Sequence, residues 1–150
     1  MSERVSSTRN LQRETQNVIE VAAGLIFRDG KLLIAQRYAD SHLGGLWEFP
    51  GGKREPGETF PECLKRELRE ELGCDVEVLE RVEAITHHYP DKSVHLEFFR
   101  CRWLADEPVA IGCAAVRWVT RQQLADYEFP AADERLLGRL GRPEFICWSP

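Results

Sequence analysis

Residues 51–74, from Gly51 to Cys74, read GGKREPGETFPECLKRELREELGC, and the rest of the chain is organised around this stretch. Trp47-Glu48-Phe49-Pro50 precedes it, so an aromatic strand end runs through a proline into two glycines that let backbone approach a neighbour closely. Glu55-Pro56-Gly57 then turns the chain. Thr59 with Glu62 three residues on forms a capping box, and Pro61 falls in the first turn, where its missing N–H costs little. The spacing predicts a helix that begins after Thr59 and stops at Gly73. Leu64, Leu68 and Leu72 give that helix one apolar stripe to bury.

Glu67, Glu70 and Glu71 share another face of the same helix. Like charges four residues apart cost roughly 0.2–0.5 kcal/mol per pair, and anions near a helix C-terminus cost about 0.3–1 kcal/mol more. Arg66 and Arg69 soften the conflict without neutralising all three carboxylates. A solvated acidic face is the ordinary explanation of one glutamate pair, but here the glycines and the cap fix where the cluster points. Local conflict of this kind is expected at functional sites. Clustered carboxylates beside a free backbone carbonyl suit a hard divalent cation, Mg2+ or Mn2+, and such an ion normally arrives with a phosphate substrate.

The stretch resembles the Nudix box, G-x5-E-x7-R-E-U-x-E-E-x-G-U, where U is a bulky apolar residue. Gly52, Glu58, Arg66, Glu67, Leu68, Glu70, Glu71 and Gly73 match it in register, and Cys74 fills the last apolar place. The likeness runs from about Ile19 to Leu140 and is greatest to the MutT-type branch. It includes Gln36-Arg37, His42, the Trp47 to Lys53 run, Tyr89-Pro90-Asp91 and Phe129 to Glu134. The resemblance implies an α+β fold, a Nudix-like α/β/α sandwich with a mixed, largely antiparallel sheet between helices. It implies a Mg2+-dependent nucleoside triphosphate pyrophosphohydrolase that cleaves oxidised dNTPs such as 8-oxo-dGTP to the monophosphate and pyrophosphate, a nucleotide-pool and DNA-repair role. It assigns Glu67, Glu70, Glu71 and the Gly51 carbonyl to the metal, and Arg66 to orienting the carboxylates, with Glu58 a weaker candidate.

The size of the chain, 150 residues with 43% hydrophobic content, is that of one domain with its own core. That domain is expected over residues 18–150, behind a polar segment, residues 1–17, that has little to bury. A formal net charge of -5 argues against a general grip on a nucleic-acid backbone while leaving a free nucleotide compatible. The polar N-terminal stretch has no apolar h-region, nowhere do 18 uncharged apolar residues follow one another, and the five cysteines lack paired spacings. A cytoplasmic protein with buried thiols is expected, as monomer or homodimer.

Val18 to Phe27 and the segment KLLIAQR are expected to be antiparallel strands joined at Asp29-Gly30, with Gly24 a bulge or close-packing point. Arg37 at the second strand's end suits bidentate phosphate recognition. With the resemblance it becomes a substrate contact, as does His42. Phe49 can stack on a base or belong to the core, Lys53 can reach a phosphate, and Lys92 can approach a phosphate or be solvated. Residues 75–89 and 93–104 alternate as two long antiparallel strands, and AVRWVT is a further short one. His87, His88 and His95 do not read as a metal site. Short helices are expected from Arg121 to about Asp126 and from Ala132 to Leu140, in an overall order β-β-β-α-β-β-β-α.

Two positions depart from the family pattern. MutT-type enzymes often carry another glutamate six residues before the tryptophan matching Trp118, where this chain has Gly112. Glu70, Glu71 or Glu134 is left to supply that role. Asp133 stands where purine-reading members can carry asparagine. Ionised aspartate only accepts hydrogen bonds, from guanine-type N–H groups or the cytosine N4 amine, whereas protonated aspartate imitates the amide. A CTP or 5-methyl-dCTP pyrophosphohydrolase is therefore the alternative. A non-catalytic nucleotide sensor is disfavoured, because such modules typically lose box glutamates.

Overall fold

The computed structural model describes residues 18–148; the polar segment 1–17 and the last two residues lie outside them. Strands β1 (Val18–Arg28) and β2 (Lys31–Gln36) meet at Asp29 and Gly30, whose φ angles of 52° and 75° suit a type I′ hairpin turn. They pair only at Phe27↔Leu32 and Arg28↔Lys31 and then diverge. The opening is filled by β3 (Trp47–Glu48), which pairs with the end of β2, and by β4 (Gly51–Lys53), which pairs with Val21–Ala23 of β1. The glycine pair thus lies in a strand, not in the loop its composition suggests. A Cβ at Gly51 would come within 1.9 Å of the Ala22 carbonyl oxygen, so close strand packing is what the glycine permits.

Helix α1 (Phe60–Leu72) has the expected termini. Thr59 and Glu62 exchange capping-box bonds, a feature worth about 1 kcal/mol, and Gly73 takes the left-handed conformation at φ 65°. The chain continues through β5 (Asp75–His88), β6 (Ser93–Ala105) and β7 (Ala115–Val119). The strand order is β3-β2-β1-β6-β5, with β4 attached to β1 and β7 to β2. β1 and β6 run parallel from Val18↔Ser93 to Phe27↔Arg102, while every other pairing is antiparallel. That mixture matches the expected sheet.

Period-two alternation in β1 divides the core between two layers. Ala22 and Ile26 face α1 and join its stripe of Leu64, Leu68 and Leu72. Ala23, Leu25 and Phe27 face the opposite layer, with Phe98, Leu136 and Leu140. Leu68 is fully buried, and truncating such a leucine to alanine costs about 2–5 kcal/mol. Gly24 resolves as a close-packing point, because its Cβ would touch Cys101 Sγ at 3.4 Å and Leu64 at 3.6 Å.

Both late helices are shorter than their spacing suggests. Gln123–Asp126 is a 3-10 turn bracketed by mutual bonds between Thr120 and Gln123, and Ala131–Asp133 is another, leading into α2 (Glu134–Leu140). Segments of three or four residues gain too few i→i+4 bonds to become α-helical. At the end of the described residues Trp148 is buried and packs edge-on against Phe27 at 5.4 Å. Cys63, Cys74, Cys101 and Cys113 are buried thiols as expected, whereas Cys147 is exposed. Among the described residues, no helix is long and apolar enough to cross a membrane.

Candidate active site

Where β1 and β2 diverge, the sheet opens a cavity of about 370 Å³. Its floor comes from β1 and β6 through Val21, Ala23, Leu96 and Phe98. One end is built by Gly51 and Gly52 of β4 with Glu67 and Glu71 of α1, and the other by Tyr89, Ala132 and Asp133. Arg37, His42, Lys53 and Lys92 also line it. A size of this order suits a small ligand, and the polar groups are placed at opposite ends.

At the carboxylate end the helix period puts Glu67 and Glu71 on the cavity side. Burial, then the charge of Glu67 and of Glu48, push the Glu71 carboxyl up to about 8. Burial raises Glu67 as well, against the opposing pull of Arg66. The two carboxyls lie close enough that the charge of Glu67 is the second cause of the rise at Glu71. A divalent cation fits this pair, since it would offset the repulsion of two half-buried carboxylates. Glu70 is placed differently: its side chain is 59% exposed and does not line the cavity. Among the described residues no three His, Cys, Asp or Glu side chains are grouped to hold an ion unaided, so Glu70 would have to turn inward to join the pair.

Arg66 organises these carboxylates. It donates to Glu58 through Nε at 3.0 Å and Nη2 at 2.7 Å, to Glu67 at 3.0 Å and to Glu70 at 3.2 Å. The hydrogen bond from Arg66, with another from the Glu55 backbone, holds Glu58 down at about 2. Glu58 is thus a partner of Arg66 and lies outside the cavity. Glu134 is exposed at the start of α2 and does not line the cavity either.

Arg37 is held from two sides, with Nη1 on Glu48 at 2.9 Å and Nε on the His42 carbonyl at 2.7 Å. Phe49 is buried against Phe98 and Phe129, at centroid distances of 5.9 and 5.0 Å, and is both core and cavity wall. Asp133 is 4% exposed, and burial, then the charge of Glu48, push its carboxyl up to about 7. The three histidines share no centre: His95 bonds Thr86 and Glu97, His88 bonds Ser93, and His87 packs on Tyr89.

Two cavity residues escape the sequence reading. Glu48 lies between the two ends and is raised chiefly by burial. Tyr89 reaches across from the β5–β6 turn, its ring edge-on to His42 at 5.8 Å and its hydroxyl near the Ala132 backbone N–H. A lone acid between Trp47 and Phe49 was the available signal for the first. For the second the signal was the Tyr89-Pro90-Asp91 turn of the family resemblance, which gave it no role in the site.

The class of protein these features define is an α+β sandwich with a glutamate-bearing helix beside a cavity of small-ligand size. The model of the NUDIX domain matches residues 22–139, well over half of the chain, and the protein belongs to that family. An 8-oxo-dGTP diphosphatase of Proteus vulgaris is 45% identical over 82 residues, covering 54% of this chain and 73% of its own. A CTP pyrophosphohydrolase of Escherichia coli (strain K12) is 40% identical over 120 residues, covering 80% and 89%. The crystal structure of a MutT protein from Methanosarcina mazei Go1 superposes with a TM-score of 0.74 at 25% identity, over 85% of this chain and 95% of that one.

Proposed function

We propose that this Nudix protein is a MutT-like nucleoside triphosphate pyrophosphohydrolase that converts 8-oxo-dGTP to the monophosphate and pyrophosphate. The observation that carries this reading is a single cavity with a carboxylate pair at one end, a buried aspartate at the other and Arg37 on its wall. Glu67, Glu71, the Gly51 carbonyl and Glu70, once turned inward, would hold Mg2+, or Mn2+, which would supply positive charge to stabilise the phosphate. Arg66 keeps the carboxylates in register through its bonds to Glu67 and Glu70. Arg37, released in part from Glu48, grips a phosphate with Lys53 and Lys92 near by, and His42 borders the sugar. Phe49 walls the base and Asp133 reads it. Catalysis is then positioning of water and phosphate plus charge stabilisation.

A second reading, hydrolysis of CTP or 5-methyl-dCTP, is favoured by the 40% identity with the CTP pyrophosphohydrolase over 80% of this chain. Ionised Asp133 would accept from the cytosine N4 amine. A pyrophosphate-release panel of 8-oxo-dGTP, dGTP, CTP and 5-methyl-dCTP separates the two. A site that hydrogen-bonds one base can reject another by about 10⁴-fold, so preference for 8-oxo-dGTP is the expected result. Preference for cytosine nucleotides moves the assignment to the second reading. Glu70→Gln, which keeps size and removes charge, should abolish most turnover, and wild-type turnover by that variant at saturating Mg2+ would remove Glu70 from the site.

A further inference from the structure

The C-terminal turn of α1 is finished by a distant loop. Gly73 donates its N–H to the Arg69 carbonyl at 3.1 Å, which leaves the Glu71 and Leu72 carbonyls without intrahelical donors. The loop after β6 meets them with three backbone N–H groups. Val109 donates to Leu72 O at 3.0 Å, and Ile111 and Gly112 both donate to Glu71 O, at 3.0 and 2.9 Å. The Tyr38 hydroxyl holds the loop from its other side by donating to Ile111 O at 3.2 Å.

Contact is tightest at Gly112. A Cβ there would lie 3.1 Å from Glu71 Cγ and 3.3 Å from its Cα and Cβ, so any side chain would press on the glutamate. Burial of the loop's own apolar groups does not explain its seat, since Val109 and Ile111 are 50% and 56% exposed. Main-chain bonds hold it instead, between the buried residues Pro108 and Cys113. An exposed helix end could be satisfied by water. Here two donors converge on the carbonyl of the one residue whose side chain faces both the cavity and Glu67.

We infer that Val109–Gly112 is a backbone clasp that positions Glu71, with Gly112 its positioning residue, so that the loop acts through main-chain N–H groups and not through an acidic side chain. This rests on the role given to Glu71 above. The misplacement caused by Gly112→Ala should lower kcat by about 10²-fold while leaving the nucleotide KM little changed. Mn2+ binding, followed by electron paramagnetic resonance without nucleotide, should weaken in parallel, and the thermal midpoint should change little. Tyr38→Phe, which removes one exposed hydroxyl, should shift kcat and Mn2+ affinity the same way to a smaller extent. Gly112→Glu should fall at least as far as the alanine variant.

Wild-type kcat and Mn2+ affinity in Gly112→Ala would overturn the inference. A fall in kcat with unchanged Mn2+ affinity and a matching fall in thermal midpoint would overturn it too, as would a rise in kcat in Gly112→Glu. Hydrogen exchange separates this failure from failure of the proposed function. The Ile111 and Gly112 amides should be protected in the wild type whether or not any nucleotide is hydrolysed, and rapid exchange there sinks the clasp alone.

Discussion

Gly52 and Glu67 touch with no side chain between them: a Cβ on Gly52 would lie 2.3 Å from the Glu67 carboxyl carbon and 2.4 Å from Oε2. The carboxylate is therefore confined between the β4 backbone on one side and the Arg66 guanidinium, 3.0 Å away, on the other. Strand β4 is in turn registered on β1 through Ala22↔Gly52. The chain of contacts runs from central strand to glycine to carboxylate, and it transmits the rigidity of the sheet to the proposed metal end of the cavity.

Gly52→Ala should accordingly displace Glu67 while leaving the strand pairing possible, since alanine adopts extended backbone without strain. A displacement of this kind can cost about 10²-fold in turnover. Pyrophosphate release at saturating Mg2+ measures it, with circular dichroism confirming a folded chain. Wild-type turnover in a folded Gly52→Ala would show that Glu67 can be held elsewhere without loss.

The Nudix helix was legible because its signals are local. A capping box, an every-fourth leucine stripe and a stopping glycine all lie within residues 59–73, and each is where the periodicity places it. The site was legible only in part. Helical spacing grouped Glu67, Glu70 and Glu71, yet the structure sends Glu67 and Glu71 inward and leaves Glu70 outside, because Glu70 bonds Arg66 on the solvent side. The strand at Gly51–Lys53 was hidden, since two glycines carry no alternation to read. Glu48 and Tyr89 lie in runs that match the family, but their place on the cavity wall was not legible, because it depends on the gap opened by the divergence of β1 and β2, a property of pairing and not of composition.

Glu83 is a buried acid on β5 that the proposed chemistry does not use. It accepts from Arg135 at 2.8 Å, from Arg139 and from the Ala84 N–H, and so ties α2 to the long hairpin. Burial alone would raise its carboxyl, but the two arginine bonds prevail and hold it below the usual range. A depressed folded value means stability that is present above the unfolded value of 4.5 and lost as pH falls through the folded one. Because both arginines are partly exposed, Glu83→Gln should cost about 1–3 kcal/mol at pH 7 and less at pH 3. Urea midpoints at the two pH values test it, and an equal effect at both would refute an ionic origin.

Asp133 has the opposite sign. Its carboxyl rises from 3.8 to about 7 because it is buried, with the Glu48 charge adding to the effect. A raised folded value gives stability that is complete below 3.8 and is lost as pH climbs toward about 7, so the wild type should weaken steadily across that window. Asp133→Asn removes the titration and should flatten that profile, gaining up to roughly 4 kcal/mol over the wild type above pH 7. Thermal midpoints from pH 4 to 8 read this directly. Under the proposed role of Asp133 the same proton would govern base reading: below about 7 the protonated carboxyl donates as well as accepts, and above it only accepts. The ratio of 8-oxo-dGTP to CTP hydrolysis should therefore change across that pH in the wild type and stay constant in Asp133→Asn. A ratio that is pH-independent in both proteins would mean that Asp133 lines the base end of the cavity without reading the base.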